Sequence, residues 1–228
     1  MKRRALATAL PVLAVALSAL TSHAFDHVDG PQAVIDPATD IADLYAFMRP
    51  ETGDGGAYKP SSHIVLVATF EPNAAVGSRF PIVTYQFRVR SVKDPSDLSA
   101  DGLDVTRDFK VVCSFLAGAP QEVTGSVNGQ SASTAIDNAD AGPASSDIRV
   151  FAGVRADPAF ADVKGFTDSV DAGQLKLGGG TNAFADKTVR ALVVEFNVNR
   201  VGLAQDASPD TPGAAGIWAV GLESVRIR

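Results

Sequence analysis

The sequence predicts a mainly β protein, a single-domain antiparallel β-sandwich or barrel-like sheet with one or two short helices. Two observations carry this prediction. Val83, Tyr85, Phe87 and Val89 alternate with Thr84, Gln86, Arg88 and Arg90, and Phe109, Val111, Cys113 and Phe115 repeat the pattern around Lys110 and Ser114. Period two puts one set on a core face and the other toward solvent. In addition, β-like segments recur from residue 44 to the C-terminus without the regular helical crossovers that a parallel βαβ sheet needs.

The elements follow in order. Residues 25–43 read as an extended polar segment, because Pro31 and Pro37 break any long helix. A short strand is expected at 44–48 and a glycine-rich turn at 51–56. Residues 62–70 are apolar on both faces, the mark of a central strand. After the strand at 108–116, the turn Gly118-Ala119-Pro120 leads into a partner at 123–127. Residues 131–147, rich in Ser, Ala, Asp and Gly, read as a surface loop, and 148–154 as a strand. Asp157-Pro158 reads as a helix cap and first helical residue, with Phe160 and Val163 facing inward from a short helix near 158–164 and a second near 166–172. A glycine turn at 178–180 precedes the strand at 189–198, whose alternation slips between Val193 and Val194; a bulge or two-sided burial would explain the slip. A loop at 203–216 leads to a terminal strand carrying Trp218, Val220 and Leu222 and continuing through Val225 and Ile227.

At 228 residues the chain is long enough for one medium-sized domain. Twenty basic against 26 acidic side chains give a net charge of −6, which argues against nucleic acid and anionic membrane surfaces as partners. A single cysteine excludes an internal disulfide. Lys2, Arg3 and Arg4 precede an uncharged run at 5–20 and then Ser22-His23-Ala24, the pattern of a secretory signal peptide over residues 1–24 cleaved near Ala24. Arg3-Arg4 leaves the general secretory and twin-arginine routes both open. Cleavage would remove three bases and no acid, leaving 17 bases and 26 acids, or −9. No later run is apolar for long enough to span a bilayer, so a periplasmic or extracellular protein without stable membrane insertion is expected.

Three blocks carry a resemblance. The first is His27-Val-Asp-Gly-Pro31 with Asp36-Pro-Ala-Thr-Asp40-Ile-Ala-Asp43-Leu-Tyr-Ala-Phe47. The second is Val150-Phe-Ala-Gly-Val-Arg155-Ala-Asp157-Pro158, and the third is Gly179-Gly-Thr-Asn-Ala-Phe184, followed by the strand at 189–196 and by Trp218. In these the chain resembles the bacterial secreted family catalogued as domain of unknown function 4331. The resemblance implies a secreted β-rich domain and supplies no reaction.

The richest chemistry lies near the N-terminus. Asp26, Asp29, Asp36, Asp40 and Asp43 fall within 25–48 with no Lys or Arg before Arg49, so more than half of the processed chain's net charge sits there. Such a cluster needs solvent, cations or arginines to hold it. Its carboxylates and backbone carbonyls suit Ca²⁺, whereas His27 beside Asp29 suits Zn or Cu. The candidate ligands are His27, Asp29, Asp36, Asp40 and Asp43, with a divalent cation such as Ca or Zn as the cofactor; the competing structural role has these acids capping turns or pairing with Arg88 or Arg90. His63 is expected on the strand face shared by Val65 and Val67, as a core histidine or a second metal ligand with His27. Cys113 reads as a small buried hydrophobe, and Trp218 as core or the wall of a ligand groove. Lipase-type nucleophile elbows, zinc-protease His-Glu-x-x-His helices, phosphate-binding Gly-Lys-Ser/Thr loops and haem-attachment motifs are absent from the sequence. Two functions follow: a non-catalytic binding or structural module of the cell envelope, with a small ligand or envelope partner, or a metal-dependent secreted enzyme, hydrolytic or oxidative, using His27 and nearby Asp residues.

Overall fold

The structure, a computed structural model, describes residues 35–52, 58–92, 103–138, 146–176, 180–201 and 218–226. Its strands are β1 (Ile41–Thr52), β2 (Tyr58–Phe70), β3 (Thr84–Val92), β4 (Leu103–Leu116), β5 (Glu122–Val127), β6 (Gln130–Ala135), β7 (Ile148–Ala156), β8 (Thr188–Asn197) and β9 (Trp218–Val225). A 3-10 turn (Pro37–Thr39) precedes β1, and one helix, α1 (Val163–Ala172), lies between β7 and β8. Every strand pairing is antiparallel. The strands form two sheets, a four-stranded one in the order β1-β2-β8-β7 and a five-stranded one in the order β6-β5-β4-β3-β9. The fold is a β-sandwich.

Cross-strand partners share a face, so the register assigns the layers. On the four-stranded sheet, Leu44, Ala68, Leu192 and Ala152 form one inward row. Leu66, Val194 and Val150 form the next, with Ala46 exposed at its β1 edge, and Met48, Ile64, Phe196 and Ile148 the third. Facing them, Tyr85, Phe87 and Val89 on β3 oppose Cys113, Val111 and Phe109 on β4, all buried as the alternation predicts. Gly125 on β5 lets the sheets approach, since a Cβ there would lie 3.3 Å from a methyl of Val150. Phe70, Phe80, Tyr85 and Phe115 pack as one aromatic group, with ring centroids 4.3–6.2 Å apart. This group closes one end of the core.

The segment before β1 is fastened over that same end. Ala38 is buried and its carbonyl accepts the Tyr85 hydroxyl. The Thr39 carbonyl accepts Ser224 Oγ at 3.1 Å, and the Asp40 carbonyl accepts the Glu71 amide at 3.3 Å. Beside it Arg190, buried on β8, holds Glu71 through Nε at 2.7 Å and Nη2 at 3.1 Å, reaches the Ser78 carbonyl and hydroxyl, and lies 4.6 Å over the Phe80 ring. A buried guanidinium requires this many acceptors to offset its lost hydration.

Several expectations are corrected. Residues 130–135 form β6, although 131–147 read as a loop. Asn128 and Gly129, both at positive φ, make the tight hairpin turn into it, and its Ser and Thr residues suit a polar edge strand. Pro158 does not start a helix. The Asp157 carboxylate accepts the Ala159 amide at 2.9 Å, a side-chain turn that competes with capping, and Asp162 caps α1 instead by accepting the Gly165 amide at 2.8 Å. Phe160 and Val163 consequently face outward. Arg88 and Arg90 bond Asp108 on the neighbouring strand at 2.9–3.2 Å, not the N-terminal acids. The slip in β8 is two-sided burial: the strand runs unbroken in register between β2 and β7. The signal segment at 1–24, residues 178 and 179 of the expected turn at 178–180, the loop at 203–216 and Ile227 lie outside the described residues.

Candidate functional site

The outer face of the four-stranded sheet follows from the same register. Asp43, Thr69, Ala191 and Gly153 make its first row; Tyr45, Val67, Val193 and Phe151 its second; Phe47, Val65, Glu195 and Arg149 its third. His63 and Asn197 extend it at the third row's side. Strands with two apolar faces can present charge only at isolated positions, and here those positions fall at the two ends of the face.

At one end Asp43 accepts the Thr69 hydroxyl at 2.8 Å and the phenol of Tyr45. Burial holds the Tyr45 phenol above its ordinary pKa, and the charges of Asp43 and Asp157 push it the same way. Asp157 is buried and anchors the chain leaving β7, where its amide donates to the Lys187 carbonyl at 3.0 Å. Asn182 braces the adjoining loop, accepting the amides of Ala161 and Phe184, each at 3.1 Å, and donating to the Ala159 carbonyl at 3.2 Å.

At the other end Glu195 lies between two guanidiniums. Arg49, from the irregular stretch of β1, reaches its Oε1, and Arg149, directly opposite on β7, approaches its Oε2 at 3.3 Å. Arg49 Nη2 also lies 3.3 Å from Nδ1 of His63, which is buried on the Val65 and Val67 face as expected. The Nε of Arg149 is buried and has no hydrogen-bond partner. A buried donor left unpaired costs about 1–3 kcal/mol. A ligand oxygen placed there would relieve that cost.

Of the residues singled out by sequence, the three described acids have separate surroundings. His27 and Asp29 lie outside the described residues. Asp36 binds Arg226 at 2.7–2.8 Å, Asp40 is buried at the end of the 3-10 turn, and Asp43 sits on β1 with Thr69 and Tyr45. Among the described residues no three His, Cys, Asp or Glu side chains are placed to hold one metal ion. Cys113 is fully buried and burial pushes its thiol up to about 12, so it is a packing residue without thiolate character at neutral pH. Trp218 is partly buried and meets Phe109 edge-on at 5.8 Å. Sequence reasoning passed over Arg49, Arg149 and Glu195. The available signal was Glu195 itself, the one acid within the apolar strand, and Arg149 at the matching place in the next strand.

Among the described residues no helix is long and apolar enough to cross a membrane. Comparison of the chain with protein-family models, with curated proteins and with solved structures found no match.

Proposed function

We propose that the protein is an exported, non-catalytic binding module of the cell envelope. Its ligand is a small carboxylate or phosphate anion seated on the outer face of the four-stranded sheet, between Arg149 and Arg49. The observation that carries this reading is the unpartnered, buried Nε of Arg149 beside a glutamate already shared by two guanidiniums. An anion would supply an acceptor to the Arg149 Nε, and guanidinium is suited to planar oxyanions. Export is supported by the cationic start, the uncharged run and the small residues before Phe25. Kinship with the domain of unknown function 4331 family rests on the resembling sequence blocks alone; Asp43 to Phe47 lie on β1, Val150 to Arg155 on β7, and the following strand is β8.

The test is calorimetric titration of the purified protein with citrate and with inorganic phosphate. Binding of at least one, weakened about tenfold or more by Arg149→Gln, is expected from the loss of a charge-assisted bidentate donor. Binding of neither at millimolar concentration, or binding indifferent to Arg149→Gln, overturns the assignment. Elemental analysis separates this reading from a metal-dependent enzyme. Stoichiometric Ca or Zn that is lost in His27→Ala, together with a turnover lost in the same variant, supports the enzyme.

A further inference from the structure

The outer face of the four-stranded sheet has an apolar middle between two ends of opposite charge. Tyr45, Val67, Val193 and Phe151 cross all four strands as one row, and each is only partly exposed. At one end of the face Arg49 and Arg149 outnumber Glu195, and the Arg149 Nε has no hydrogen-bond partner. At the other end Asp43 and Asp157 both bring negative charge to the Tyr45 phenol, while Arg155 is matched by Asp137 at 3.0 Å. Thr69 and Tyr45 donate to Asp43, which leaves about half of the roughly four acceptor positions of its carboxylate open. The half-buried Asp43 can therefore take a further donor from solvent.

We infer, resting on the anion assignment above, that the ligand of this face is an ω-amino carboxylate, with its carboxylate at Arg149, its alkyl chain over the apolar row and its ammonium on Asp43. Charge complementarity selects that occupant, because the anionic group belongs at the guanidinium end and a cationic group at the aspartate end. The methylenes cover Val67, Val193 and Phe151, and burying apolar area against them is favourable. The sheet geometry sets the length. Glu195 lies four residues along β8 from Ala191, whose neighbour on β2 is Thr69, the donor to Asp43. The diagonal from Glu195 to Thr69 is therefore roughly 14 Å. A hydrogen bond of about 2.8 Å at each end leaves roughly 9 Å, which an extended chain of about seven or eight carbons fills. A shorter anion reaches only the guanidinium end.

Calorimetric titration of the purified protein with ω-aminooctanoate, γ-aminobutyrate, octanoate and inorganic phosphate tests this. ω-Aminooctanoate is expected to bind about tenfold or more tighter than γ-aminobutyrate, which carries the same charges on too short a chain. It is expected to bind about fivefold or more tighter than octanoate, which lacks the ammonium. Arg149→Gln should weaken all three carboxylates, and Asp43→Asn should erase the preference over octanoate. Val193→Thr keeps the side-chain shape and adds a hydroxyl to the apolar row, so it should narrow the preference for the longer chain. Far-UV circular dichroism confirms that each variant stays folded, and the comparisons of chain length and of the ammonium need only the unaltered protein. The inference is overturned, with the anion assignment left standing, if phosphate or octanoate binds through Arg149 but ω-aminooctanoate is no tighter than γ-aminobutyrate. A preference over octanoate that is absent, or that survives Asp43→Asn, overturns it equally. If none of the four binds at millimolar concentration, or if binding is indifferent to Arg149→Gln, the anion assignment falls with it.

Discussion

Arg190 shows how single side chains govern this sandwich. Its guanidinium is buried at the aromatic end of the core and depends on Glu71. Replacing Glu71 with Ala leaves that charge with only the Ser78 acceptors, and about 3 kcal/mol of stability should be lost in urea unfolding. Tyr85 is the neighbouring case. Burial raises its phenol far above the ordinary range, so it is a permanent donor to the Ala38 carbonyl. Tyr85→Phe should cost about 1–3 kcal/mol and make the 36–40 segment more sensitive to protease, read by limited proteolysis. The hydrogen bond from Arg88, with Arg90 alongside, holds the Asp108 carboxyl below its usual value. A lowered carboxyl stabilises the fold above its unfolded pKa, and that contribution disappears as pH falls through the folded value. Asp108→Asn should therefore lower the Tm only modestly at pH 7, because the pair is near the surface, and the gap to wild type should close as the pH drops below about 4. The burial of Cys113 and the facing of His63 were legible from alternation alone. The partners of Arg88 and Arg90 were not, because pairing across strands depends on register, which composition does not set.

At the scale of elements, the strands with clean alternation were readable, β3 to within two residues and β4 at its end, although β4 starts at Leu103, five residues before the expected 108. Strand β8 was readable as a strand, and its slipped pattern resolves as burial on both sides between β2 and β7. Strand β6 was missed because Ser, Thr and Ala residues satisfy an edge as readily as a loop. Yet Asn128-Gly129, the strongest short hairpin signal, was present in the sequence. Gly129 sits at φ 80°, where a side chain is strained, so Gly129→Ala should cost about 1 kcal/mol in thermal unfolding. The helix expected near 166–172 is present as α1, which starts at Val163, whereas residues 157–162, where another was expected to begin, are not helical. Asp157 reads as the cap by sequence, but its carboxylate turns onto Ala159, and Asp162 caps the helix instead. Asp162→Ala should remove about 1 kcal/mol of helix stability and reduce hydrogen-exchange protection in α1 while sparing the sheets.

For the whole molecule, the acidic segment and the sheets are one unit from Asp36 onward. The 36–40 stretch spans the end of the sandwich and is tied to β2, β3 and β9 and by Asp36 to Arg226. Of the five closely spaced Asp, Asp36 and Asp43 have partners at separate places, which sequence spacing does not reveal, while Asp26 and Asp29 lie outside the described residues with His27. The layout instead places charge at both ends of one outer face: a Tyr–Asp–Thr group near Asp157, and a Glu between two Arg beside His63. The central claim is that the second of these receives an anion. Its most direct test is the movement of backbone amide NMR signals during titration with citrate and with phosphate. The account predicts shifts centred on Arg49, His63, Arg149 and Glu195 that vanish in Arg149→Gln. Shifts confined to the five-stranded sheet, or none at all, would contradict it.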